Sequence, residues 1–371
     1  MPFEAWPWTT YAYDDADRLT SITDAQTPTA GVTTYGYDRE NDLTDIWDAN
    51  GHHTQFLYYP GQYLYETIFP SGYTESYSWD ANNNLTYKTD RNGNPISYYY
   101  DYQNHLYYKS QPYTGYVAYH YYDPAGRLTE VTDYNTGSTG DYNFTYDNMN
   151  RLTVASADYN FDSVGAYSVQ YGYDAASNRT SMIDPQSVTT TYGYDTLNRL
   201  TSLANSWAGT FGFGYDALSR RTSLTRPNSV DTSYSYNSMS RLLSVLHQYG
   251  STTLDGASYT YDNAGNRLTK TDQRTSTTSN YAYDAIDQLA QVTQGGSTTE
   301  SYSYDLVGNR LSSLGASPYS YNSSNELTST PSATYTYDYN GNRKTKVDSS
   351  GTTTYNWDAE NRLTSVVLPE M

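Results

Sequence analysis

Along most of the chain, aromatic and small residues alternate, then give way to a polar turn and return to alternation. The commonest form is Tyr-x-Tyr-Asp, a short polar stretch, and then Asn-Arg-Leu-Thr. Side chains on a strand point to opposite faces in turn, so Tyr-x-Tyr puts two rings on one face. The residue between them is small or polar, as at Ala12, Gly36, Ser78, Gly172, Gly193, Ser235, Ala282 and Ser303. Asp and Asn that follow favour a turn by bonding nearby backbone N–H groups. Arg-Leu-Thr then opens a return strand that continues to an apolar residue such as Ile22, Val131 or Leu203. The pattern predicts a β-hairpin of about 20 residues.

The hairpin recurs from end to end. Its Asp, or the residue in its place, falls at 14, 38, 60, 80, 101, 123, 147, 174, 195, 216, 237, 262, 284, 305, 322, 338 and 358. That makes 17 units, spaced most closely between 322 and 338 and most widely between 147 and 174, with Pro at 60 and Asn at 237 and 322. Gly265, Gly308 and Gly341 accompany copies that read as having one extra turn residue, where a positive φ is expected. One hairpin buries too little to be stable alone, so neighbouring units must stack. The expected ladder comprises Tyr171, Tyr173, Asp174, Tyr192, Tyr194, Asp195, Arg199, Tyr259, Tyr261, Asp262, Arg267, Tyr302, Tyr304, Asp305 and Arg310. In it each ring packs on its equivalents, and interleaved Asp and Arg pair across adjacent turns.

The pattern Tyr-Asp-x-x-Gly-Asn-Arg-Leu-Thr resembles the YD repeat of the Rhs-type family, found in Rhs proteins, Tc-toxin shell components and teneurins. The resemblance runs from Tyr11 to Thr364. It implies an all-β fold of tandem hairpins winding into a spiral, shell-like or tubular sheet. Size argues the same way: roughly 34 strands at ~4.8 Å spacing would span ~160 Å, and open twisted sheets rarely exceed about 10 strands without curling. The expected organisation is a lead-in strand over 1–10, a repeat array over 11–364 and a tail over 365–371. The ends read as complementary half-units, and joining Met371 to Met1 would leave a spacing within the observed range. End-to-end addition of copies, or membership of a longer parent chain, is therefore expected. Many family members carry a self-cleavage motif and a variable toxin near the C-terminus; here Asp123-Pro124-Ala125-Gly126 reads as a mid-chain turn, and neither protease core nor cargo is expected.

Composition explains why such a ladder is needed. Of 371 residues, 47 are Tyr, and without them the hydrophobic share falls from 36% to about 23%. That share of other apolar side chains is close to the range where a chain struggles to fill an ordinary core. There is no Cys, which excludes disulfides, thiolate zinc sites and thiol catalysis. A net charge of −19 without a basic cluster disfavours nucleic acid. No apolar run is long enough to cross a bilayer as a helix, so no helical membrane span is expected. Met1 to Trp8 lacks the build of a signal peptide.

Candidate chemistry is sparse. His52 and His53 adjoin an acidic turn, and the remaining histidines, His105, His120 and His247, are scattered. Asp90-Arg91-Asn92-Gly93-Asn94 and Asp338-Tyr339-Asn340-Gly341-Asn342 echo the opening of a calcium loop but lack its closing Glu. Calcium, attracted by the acidic turns, is the one cofactor the sequence suggests, and no enzymatic activity is expected. Sequons at Asn84, Asn143, Asn178 and Asn322 would accept glycans in a secreted protein. The expected role is a non-enzymatic wall, or a fibre or tube, outside the cell or at its surface. The alternatives are a fragment of a toxin-encapsulating shell and an adhesin that stacks sugars on exposed Tyr.

Overall fold

The computed structural model describes residues 8–26, 28–111, 115–135, 138–358 and 361–369. Residues 1–7 of the expected lead-in and 370 and 371 of the expected tail lie outside them. The described residues form 35 strands, from Thr10–Tyr13 to Leu363–Val367, and no helix. The first 27 strands belong to one antiparallel sheet and six later strands to another. Strands pair with their neighbours in sequence, as in the run Tyr167–Tyr173, Arg179–Ile183, Thr189–Tyr194, Leu200–Asn205 and Gly209–Tyr215. By internal contacts the chain divides into two compact units. One comprises Met1–Val117, Ala282–Val292 and Thr298–Met371; the other comprises Ala118–Tyr281 and Thr293–Ser297.

Among the described residues, neither unit has a conventional core. The buried hydrophobic residues are Ile96, Ala118, Val188, Ala257, Val292 and Ala333, outnumbered by buried polar ones such as Thr67, Asp90, Gln111 and Thr232. Cohesion therefore runs along the sheet, from strand to strand, rather than into a layer beneath it.

The turn frame is constant. In each regular unit the Asp N–H donates to the carbonyl four residues on, and the residue at Asp+3 takes a left-handed φ. Asn198 (φ 58), Ser219 (φ 61) and Gly308 (φ 88) all occupy that place. The glycine copies therefore carry no extra turn residue, which corrects the sequence reading. In them the whole Asn-Arg-Leu motif slides by one, moving Arg from Asp+4, in the turn, to Asp+5, the first strand position. The degenerate early unit is also displaced by one: its turn is built on Tyr59, whose carbonyl accepts from Gln62 N–H, not on Pro60.

A β-bulge recurs that the sequence pattern did not reveal. Tyr194 faces Leu200 while Gly193 faces Ser202, leaving Thr201 unpaired between them. At Thr86, Thr129, Thr328 and Thr364 the hydroxyl of this extra residue donates to the carbonyl of the middle residue of the aromatic strand, at 3.0–3.1 Å. The Thr of Arg-Leu-Thr thus satisfies backbone that the bulge would strand.

Turns also join units at the opposite edge of the sheet, where Asp184 Oδ1 accepts from Gln186 and Val188 N–H. Ser187 there sits at φ 64. A left-handed non-glycine residue costs roughly 1 kcal/mol, so Ser187→Gly is expected to gain about 0.5–1 kcal/mol. Hydrogen exchange at the neighbouring Val188 amide reads the change, and slower exchange is the expected result.

Candidate functional site

The chemistry of this chain is concentrated in a clasp that links each repeat to the next. In the turn at Asp195, Oδ1 accepts from Leu197 N–H (2.9 Å) and Arg199 N–H (3.0 Å), and Oδ2 accepts from Arg199 Nε (2.7 Å). Arg199 then reaches forward. Its Nη1 donates to the carbonyl of Asp216 (3.1 Å), and its guanidinium lies 5.0 Å from the centre of the Tyr215 ring. Tyr215 reaches back, its hydroxyl donating to the carbonyl of Leu200 at 2.8 Å. The Asp–Arg pair thus forms within one turn rather than across turns, and the contact between repeats runs through backbone carbonyls, the Tyr ring and a side-chain oxygen of the next turn, Ser219 Oγ in this copy.

The same set recurs at Arg18, Arg127, Arg151 and Arg220, over Tyr37, Tyr146, Tyr173 and Tyr236 at 4.8–5.0 Å. Where Asn stands at Asp+4 it performs a shorter version. Asn178 Nδ2 donates to Asp174 Oδ2 and to Asn198 Oδ1 of the next turn, each at 2.9 Å. The backward bond is more general still. Tyr173, Tyr194, Tyr261, Tyr304 and Tyr337 each donate a hydroxyl to a carbonyl of the preceding unit at 2.7–2.9 Å. Trp79 and Trp357 stand in the same place and donate with the indole N–H instead, to Leu64 and Arg343.

Ring-on-ring stacking of the ladder does not occur. None of Tyr171, Tyr173, Tyr192, Tyr194, Tyr259, Tyr261, Tyr302 or Tyr304 makes a ring pair; the pairs that form lie in other segments, such as Tyr142–Tyr159 and Tyr99–Tyr108. The return strand is the reason. It separates equivalent rings by two strand spacings, about 9.6 Å, beyond the 4.5–7 Å range of aromatic pairs. The intervening strand supplies the contact in glycine-type and related copies, where Arg sits at Asp+5. Arg179 lies 5.8 Å from Tyr171 and 4.7 Å from Tyr192; Arg267 lies between Tyr259 and Tyr281, and Arg310 between Tyr302 and Tyr319. Cations between rings contribute ~0.5–2 kcal/mol each, depending on desolvation.

Electrostatics follow the geometry. The carboxyls of Asp14, Asp147 and Asp195 lie below the usual range, chiefly because the N–H of the Arg four residues on bonds them. At Asp123 the Arg127 side chain leads, and at Asp174 the Asn178 side chain. Burial raises Tyr194, Tyr261 and Tyr304.

Three sequon amides are already engaged. Asn84 Nδ2 donates to Asp80 and Asn104, Asn178 Nδ2 to Asp174 and Asn198, and Asn322 Nδ2 to Glu326. A glycan there would replace a clasp donor, whereas Asn143 is exposed on its strand. Among the described residues no three His, Asp or Glu side chains gather as metal ligands, and no helix is long and apolar enough to cross a membrane.

Within the first unit a second contact joins segments from opposite ends of the sequence. The two calcium-like turns meet each other. Asn92 Nδ2 donates to Asp338 Oδ2 (3.2 Å) and, reciprocally, Asn340 Nδ2 to Asp90 Oδ2 (2.8 Å). Tyr339 N–H donates to Asn92 Oδ1 (2.9 Å), Arg91 bonds the Asn340 carbonyl, and Tyr73 stacks on Tyr339 with centroids 3.7 Å apart. Nearby, Asn50 Nδ2 donates to Asp305 Oδ2 (2.9 Å). A Cβ on Gly31 would stand 3.0 Å from the Leu306 carbonyl oxygen and 2.5 Å from Asp24 Oδ2, so a larger residue there would displace the Asp24 carboxylate and crowd the Leu306 carbonyl. These turns form a seam in which far-edge turns of early repeats face Tyr-Asp turns of late ones.

A family model described as Teneurin YD-shell matches residues 202–329, and one described as RHS Repeat matches 13–53, 122–160, 173–210 and 337–370. Together they cover most of the chain. The chain belongs to the YD-repeat, Rhs-type family. No curated protein matches its sequence. Among solved structures, the YD-repeat chain is similar to a Tc holotoxin pore of Photorhabdus luminescens at TM-score 0.62 and 15% identity, over 98% of this chain and 24% of that one. A TcdB2–TccC3 structure without its hypervariable C-terminal region gives TM-score 0.63 and 16% identity, over 98% and 24%. TcdB2–TccC3–Cdc42 gives 0.62 and 15%, over 98% and 25%. The chain spans about a quarter of the length of each.

Proposed function

We propose that this YD-repeat chain is a length of wall in a larger β-shell, structural and non-catalytic, working outside the cell or at its surface. The carrying observation is the clasp. Each regular turn spends its charged and aromatic groups on holding the next repeat, leaving a sheet that is cohesive along its length without a core beneath it. The family membership and the quarter-length match to shell-bearing chains support the same reading. Electron microscopy with small-angle scattering of the purified chain tests it. The expected particle is a curved wall about 10 Å thick, one sheet deep; a compact solid particle would overturn the proposal.

End-to-end addition of copies is a second reading, favoured by a sheet built, among the described residues, only of antiparallel pairings between consecutive strands of one repeat, which any further strand of that repeat could extend. Unpaired strand edges are templates for further strands. Filaments in the same images would support it, and a monodisperse monomer at every concentration would remove it.

A further inference from the structure

The sequence contains three Asn-Gly dipeptides, Asn50-Gly51, Asn92-Gly93 and Asn340-Gly341. All three lie in the seam, and each Asn spans it with its side-chain amide, to Asp305, Asp338 and Asp90 respectively. Asn followed by Gly is the arrangement in which an asparagine most readily loses its amide, because no side chain shields the next backbone nitrogen. Here nothing lies within 4 Å of where a Cβ would stand on Gly51 or Gly93. We propose that these three dipeptides are deamidation sites gated by the seam: protected while it is closed, reactive once it opens, and unable to close again after they have reacted.

The chemistry balances with water as the only co-reactant. The Gly nitrogen, having given its proton to solvent base, attacks the Asn Cγ. The Cγ–Nδ2 bond breaks, ammonia leaves, and a cyclic imide forms. Water then opens either imide carbonyl, leaving Asp or its β-linked isomer. No oxidation or reduction is involved.

In the closed seam both reacting groups are occupied. Gly51, Gly93 and Gly341 N–H donate to the carbonyls of Asp48, Asp90 and Asp338 at 2.9–3.1 Å, so the nucleophile is held in the turn. The leaving amide is held by the carboxylate opposite. Opening frees both. Reaction then replaces a donor with a carboxylate facing another carboxylate that the amide had approached to 2.8–3.2 Å. Like charges at such separation repel, and the β-linked product also lengthens the turn by one backbone atom. The seam therefore carries a chemical record of having been opened.

Peptide mapping by mass spectrometry at mildly alkaline pH, on the folded chain and on the chain in urea, tests the gating. Conversion at Asn50, Asn92 and Asn340 is expected to be about tenfold or more slower when folded, as for groups that react only from an open state. Equal rates in the two conditions would overturn the proposal. The locking step is read separately by hydrogen exchange at Gly93 and Gly341. The Asn92→Asp, Asn340→Asp pair is expected to exchange about tenfold faster than the parent, and faster than Asn92→Ser, Asn340→Ser, which loses the bonds without adding charge. Exchange equal to that of the parent or of the serine pair would overturn it. If the Asp pair fails to fold, parent protein deamidated in urea and then refolded gives the same reading.

Discussion

Replacing Tyr215 with alanine is expected to destabilise its repeat by about 2–4 kcal/mol, and replacing it with phenylalanine by about 1 kcal/mol. Alanine removes the ring beneath Arg199 and the hydroxyl that bonds Leu200; phenylalanine removes only the hydroxyl. In an array where each unit touches only its neighbours, the loss is local before it is global. Hydrogen exchange should therefore speed up across Gly209–Tyr215 and Leu200–Asn205, with strands several units away unchanged. Equal effects of the two substitutions would mean that the ring contributes nothing and the hydroxyl everything.

Acid is expected to unfasten the array as a whole. Asp14, Asp80, Asp101, Asp123, Asp147, Asp174, Asp195, Asp216 and Asp262 all have carboxyls held below their ordinary range. A depressed folded-state pKa stabilises the fold above the unfolded value and is lost as the pH falls through the folded one. Stability should thus hold at neutral pH and fall steeply below about pH 4, near the unperturbed Asp value. Protonation relieves the repulsion of the −19 chain only down to the pI near 4.4. Below it the net charge turns positive and grows, and this repulsion adds to the loss at each Asp of an acceptor for two backbone N–H groups and a side-chain donor. At the alkaline end the sign reverses. Burial, then the bond to Glu75, pushes Tyr77 up to about 12, and burial also raises Tyr194, Tyr261 and Tyr304. A phenolate cannot donate to a carbonyl, so stability should fall as the pH rises past about 10. Circular dichroism across the pH range checks both limbs; a flat profile from pH 2 to 7 would contradict the clasp.

The hairpin, its period and its turn chemistry were legible in the residues because they are local. Alternation puts Tyr192 and Tyr194 on one face, and Asp195 can bond only N–H groups a few residues away. Trp79 and Trp357 carry a trace of the donor role of the second aromatic position, since indole shares with phenol an N–H or O–H at its far side. The bulge at Thr201 was not legible, because a one-residue slip in pairing leaves no mark on a single strand. Nor was the partner of each ring: alternation gives the face but not the distance to the next equivalent strand. That distance lets Arg179 and Arg267 lie between rings where ring pairs were expected.

The seam lay furthest from what local pattern conveys. Asn92 and Asn340 stood out only as an incomplete calcium loop, and nothing within either turn names the other as its partner. Local bonding energies select hairpins from neighbouring residues, so they are written into any short window of sequence. Contact between turns so distant along the chain depends on the twist accumulated over every intervening strand, a quantity to which each residue adds a little and none decides.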